Sequence, residues 1–126
     1  MNYRSPLAKA RGLGSAKTGT FQWWMLRITS VALIPLTFWL IRFLDLSLHA
    51  PYQETLEWLE SPQNTLCIAA WVLVVFYHAA MGLQVVIEDY VAPEGVKIVA
   101  VWTVNLSFLM LALTALIAVF RTLLIG

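Results

Sequence analysis

Charge is scarce in this sequence: only 12% of its 126 residues are Asp, Glu, Lys or Arg, about half the roughly 25% that soluble domains carry. With 60% hydrophobic residues, the chain reads as a membrane protein. The net charge of +1 leaves no basic face for nucleic acid once topology has used the cations. Cysteine is nearly missing too. The single Cys67 lies inside an apolar run, so no disulfide framework exists and the thiol reads as a small buried hydrophobe. No internal repeat is visible.

The first 20 residues lack acids altogether, while Arg4, Lys9, Arg11 and Lys17 flank or interrupt a Gly, Ser and Thr rich run. This predicts a cytoplasmic N-terminal segment over residues 1–20. It reads as retained rather than cleaved, since the following apolar run is too long for a signal peptide and lacks a small-residue cleavage pattern. The connection from Asp45 to Glu60 has the opposite deficit. It contains Glu54 and Glu57 but no Lys or Arg, which suits the other side of the membrane. Lys97 returns the next connection to the cytoplasm, giving an N-in, C-out orientation.

What the chain has in quantity is apolar length. Stretches near 22–48, 64–90 and 98–124 each exceed the roughly 20 residues a helix needs to cross the hydrocarbon. The expected fold is an all-α membrane protein with three transmembrane helices, its membrane domain covering residues 21–126. Trp23 and Trp24 sit at interface depth in the first helix, and Pro35 at its middle should bend it. The segment PYQETLEWLESP predicts a short interfacial helix with Leu56, Trp58 and Leu59 against the bilayer. His49, at the start of that connection, reads as a solvated loop histidine. In the third helix, Thr103, Asn105, Ser107 and Thr114 are groups that in membranes bond to neighbouring helices, which suggests assembly. Arg42 and Arg121, near helix ends, read as snorkelling anchors.

The most informative stretch is Tyr77 to Val91, YHAAMGLQVVIEDYV. Ionisable groups at mid-bilayer usually mark a pathway, a proton relay or a metal ligand, and His78 lies in the middle of its helix. Asp89 returns to within about 20° of the same face and lies about 16 Å along it. Gly82 and Val85 follow His78 at helical spacing, and Ala79 and Ala80 flank it, so a flat cofactor could approach. Neutral imidazole is a standard axial ligand of haem iron. His49 is too far from His78 to share one iron, so a second ligand would come from another polypeptide, in a heteromeric helical bundle or a dimer. Arg27 lies about 8 Å inside the first helix, where it could meet an anionic group of a cofactor or substrate. At the rim, Tyr90 can hydrogen-bond a carbonyl, and Asp89 beside it can relay protons.

These residues resemble the small membrane-anchor (D) subunit family of succinate dehydrogenase, respiratory complex II. The resemblance covers nearly the whole chain. His78 and Gly82 followed by Asp89 and Tyr90 carry it most strongly; Glu88 to Val91 with Glu94, Gly95 and Lys97 is similar to alphaproteobacterial members, and Trp23, Trp24, Arg27, Ile28 and Thr29 match the family's Arg-x-Thr entry. The resemblance implies a haem b shared with a second membrane-anchor subunit, with His78 as axial ligand to the haem iron and Arg27 facing a propionate. It also implies that Tyr90 hydrogen-bonds ubiquinone with Asp89 adjacent, and that iron-sulfur and flavoprotein subunits are partners in a bacterial inner membrane. On this reading the chain is part of an enzyme and has no catalytic residue for succinate oxidation. The competing reading is a non-catalytic small transporter or assembly subunit with a His78/Asp89 proton path.

Overall fold

The computed structural model describes residues 18–125. The basic segment with Arg4, Lys9, Arg11 and Lys17 lies outside the described residues. Four helices follow one another: α1 Thr18–His49, α2 Tyr52–Glu60, α3 Pro62–Tyr90 and α4 Glu94–Ile125. Three of them, α1, α3 and α4, are long and apolar enough to cross a membrane. At 1.5 Å per residue, even the 29-residue α3 is about 44 Å long, so it outreaches the roughly 30 Å hydrocarbon layer and ends among headgroups.

The helix limits follow local chemistry. Pro62 opens α3, where its missing N–H costs nothing. Only Val91, Ala92 and Pro93 separate α3 from α4. The fourth helix begins several residues before the expected 98, because Glu94 favours a first turn by its charge and the Lys97 N–H donates to the Pro93 carbonyl at 2.9 Å. Pro35 is accommodated within α1 without ending it.

The three spans form a row with α3 in the middle. Helix α3 packs along both α1 and α4, whereas α1 and α4 have no direct packing against each other. The short α2 contacts all three spans at one end. Nine residues are too few for a stable isolated helix, so α2 depends on what it buries. Leu56 and Leu59, one turn apart, are 6% and 3% exposed. This corrects the expectation that they lie against the bilayer: they are wedged among the protein's own helices, while Glu54, Glu57 and Glu60 face outward. Asn64 fastens the wedge, its Nδ2 donating to the Trp58 carbonyl at 2.8 Å and its Oδ1 accepting from Trp39 Nε1 at 3.2 Å. The Thr65 hydroxyl donates to the Leu59 carbonyl.

Buried apolar residues concentrate toward this end. Leu46, Leu56, Leu59, Ile68 and Val72 lie there, and Ala112 lies near the middle of α4. Within this chain the α4 threonines bond along their own helix. Thr103 and Thr114 donate to the carbonyls of Val99 and Met110 on their own helix, at 2.7 and 2.8 Å. Four residues back along the same helix is the nearest acceptor a membrane threonine has.

Candidate functional site

In the half of the row away from α2, one polar contact joins α1 to α3. Thr29 Oγ1 lies 2.8 Å from His78 Nδ1. At 1.5 Å per residue, Thr29 is about 16 Å from the start of α1 and His78 about 18 Å from the end of α3, so antiparallel helices bring them level, well inside the hydrocarbon. Thr29, 6% exposed, is the buried polar residue among the described residues. Its oxygen also lies 2.6 Å from the Met25 carbonyl and 3.1 Å from that of Leu26. The Thr29 partnership was not anticipated from sequence, although counting residues from the two helix ends would have put 29 and 78 at one depth.

His78 is half-buried, and its Nε2 makes no hydrogen bond among the described residues. A Cβ built on Gly82 would meet nothing within 4 Å, so the space expected one turn beyond His78 is open. The described residues contain no group of three or more His, Cys, Asp or Glu that could hold a bare ion.

Arg27 does not meet His78. It lies two residues before Thr29, about 200° around the helix, and its guanidinium stacks over Trp23 at 4.4 Å from the ring centroid. Trp23 in turn meets Trp24 edge to face, with centroids 4.9 Å apart. This cation–π contact steadies the exposed arginine about 14 Å along α1 from its start at Thr18.

At the end of α3 all three polar residues are exposed. Glu88 accepts from Gln84 Nε2 at 3.0 Å. Asp89 and Tyr90 make no side-chain hydrogen bond or ion pair among the described residues, and Tyr90 is 84% exposed. His49 belongs to the other end of the row, where its Nδ1 lies 3.2 Å from Asp45, itself paired with Arg42 at 3.3 Å. Neither the 430 Å³ cavity between α3 and α4 nor the 530 Å³ cavity beside α2 is lined by His78, Asp89 or Tyr90.

Comparison with known proteins agrees with this architecture. The model of a family described as succinate dehydrogenase/fumarate reductase transmembrane subunit matches residues 1–121. A succinate dehydrogenase hydrophobic membrane anchor subunit of Rickettsia bellii is 30% identical over 119 residues, covering 94% of this chain and 95% of its own. The one from Rickettsia conorii is 28% identical over 120 residues with the same coverage. That of Paracoccus denitrificans is 31% identical over 90 residues, covering 71% and 70% of the two chains. No solved structure matches. A match along almost the whole chain, relatives of similar length and three apolar spans lead to one conclusion: the chain belongs to the succinate dehydrogenase/fumarate reductase transmembrane subunit family, as a multi-pass membrane-anchor subunit of that enzyme in a bacterial cytoplasmic membrane.

Proposed function

We propose that this chain, with a second membrane-anchor subunit, secures the iron-sulfur and flavoprotein subunits of succinate dehydrogenase to the bilayer, shares a haem b with that second anchor, and forms part of the ubiquinone-reduction site. The observation that carries the proposal is the state of His78. One ring nitrogen is held by buried Thr29, the other is unengaged, and Gly82 leaves the adjacent surface open. Such a residue fits an axial ligand to a flat macrocycle. Bound there, haem b supplies a one-electron carrier inside the membrane.

Within this reading His78 Nε2 would hold the haem iron, and the second anchor would supply the other protein ligand. Arg27, exposed and steadied by Trp23, offers its guanidinium to a propionate. Tyr90 donates its phenolic hydrogen to a ubiquinone carbonyl, and Asp89 passes protons from water toward the reduced oxygen. Electrons from succinate reach this end through the other subunits. A proton path from His78 to Asp89 has less support, because the roughly 16 Å between them along the helix face passes Gly82 and Val85, neither of which can carry a proton.

The test is the dithionite-reduced minus oxidised spectrum of the complex purified by a tag on this chain. A low-spin b-type signal with a co-purifying flavoprotein is expected. A flavoprotein-free preparation without haem would favour the transporter reading. Orientation has its own check: a reporter at the N-terminus should be cytoplasmic and one after Gly126 periplasmic, and cytoplasmic signal from both would contradict N-in, C-out. For Arg27→Leu the helix should still insert, since a cation has been replaced by an apolar residue. Haem content or midpoint potential should change; if both match the parent complex, Arg27 only snorkels.

A further inference from the structure

We propose that Thr29 is a positioning residue that fixes the tautomer of His78, putting the ring proton on Nδ1 and presenting the bare Nε2 lone pair as the ligand. The inference rests on the reading of His78 as the haem ligand and adds the residue that tunes it.

The argument counts protons. Thr29 Oγ1 lies 2.6 Å from the Met25 carbonyl oxygen, 3.1 Å from that of Leu26 and 2.8 Å from His78 Nδ1. A hydroxyl has one hydrogen to give and two lone pairs to receive. Two oxygens at 2.6 Å fall within the hydrogen-bonded O–H···O range, so the Thr29 hydrogen belongs between Oγ1 and Met25. Were Nδ1 bare, it would need that same hydrogen, and one of two short contacts would be left with lone pair against lone pair. With the proton on Nδ1, both contacts are satisfied: the imidazole N–H donates to Oγ1, and Oγ1 donates to the Met25 carbonyl. A metal ligand must offer a deprotonated nitrogen, and Nε2 is then the one that can.

The helix adds to the effect. The Met25 carbonyl draws on the hydroxyl hydrogen, which makes Oγ1 a better acceptor for the imidazole N–H. A stronger hydrogen bond at Nδ1 makes Nε2 more basic, and a more basic ligand favours ferric over ferrous iron. Thr29 therefore lowers the potential of iron held at His78 and keeps the ring from turning. Thr29 is also buried, so no water is at hand to replace the hydroxyl.

Thr29→Val keeps the branched shape and removes the acceptor, and Thr29→Ser keeps the acceptor in a smaller side chain. Both would be measured in the purified complex beside His78→Ala, by haem content per complex, redox titration and the low-spin ferric electron paramagnetic resonance signal. Thr29→Val should raise the midpoint potential, shift the low-spin signal and weaken haem retention by about 10–100-fold, the usual effect of losing an outer partner of a metal-bound histidine. Thr29→Ser should match the parent. If His78→Ala loses the haem while Thr29→Val keeps the parent's potential, signal and content, Thr29 does not tune the ligand although the ligand assignment stands. If Thr29→Ser behaves as Thr29→Val, the methyl group matters rather than the acceptor, and the inference fails. Haem retained in full by His78→Ala overturns the ligand assignment and, with it, the role of Thr29.

Discussion

Replacing His78 by Ala should abolish the low-spin haem signal of the complex while leaving the three-span anchor in the membrane. The imidazole is the histidine at this depth, and alanine leaves behind an apolar notch beside Gly82 in its place. The structural cost is modest. Thr29 keeps its bond to the Met25 carbonyl at 2.6 Å, so the variant loses one interhelical hydrogen bond, about 0.6 kcal/mol on average in a membrane interior. The buried residues at the α2 end are untouched. His49→Ala is the matched control, because that histidine is exposed and tied to Asp45 at the opposite end of the row. An unaltered low-spin spectrum in the His78 variant, at normal complex yield, would end the assignment.

Tyr90→Phe should separate quinone reduction from everything upstream of it. Tyr90 is the last residue of α3 and 84% exposed, so the ring contributes little packing within this chain and phenylalanine preserves what there is. On the proposed reading, what disappears is a phenolic donor to the quinone oxygen on which negative charge develops. Loss of one such preorganised donor costs on the order of a hundredfold in turnover. His78 is about 18 Å away along the helix, so the haem spectrum should persist. Electron transfer from succinate to a soluble dye should also persist, since the proposed function gives that chemistry to the other subunits. Ubiquinone reduction within a few-fold of the parent, with the dye assay intact, would make Tyr90 an ordinary interfacial aromatic.

Much of the architecture was readable before any coordinates. Each span is longer than the bilayer demands, so hydropathy alone located α1, α3 and α4, and the Glu-rich, leucine-spaced stretch announced α2. Helix ends were read less well. Glu94 and Lys97 look like loop residues by polarity, yet a charge at a first turn and a backbone bond to Pro93 suffice to include them in α4. The direction in which α2 turns its leucines was also missed, since bilayer and protein interior select the same apolar face. His78, Asp89 and Tyr90 stood out because polar groups are rare in such a chain. Thr29 stood out only as part of the Arg-x-Thr entry and its contact with His78 did not, because a threonine in a membrane helix can satisfy itself on its own backbone, as Thr103 and Thr114 do. Only the relative rotation of two helices distinguishes the threonine that reaches across.

The α2 wedge gives the row the mechanics of a book. Its spine is the end where Leu56 and Leu59 are sealed and Asn64 ties Trp39 to Trp58. The outer pages, α1 and α4, have no direct packing against each other, and each is bound to the middle one and to α2. All three spans are thus tied together beside α2, while toward Tyr90 they are held by packing on α3, the Thr29–His78 contact and the three-residue link from Val91 to Pro93. On the proposed reading, a flat prosthetic group would lie between α1 and α3 at the end away from that spine, beside His78 and Gly82.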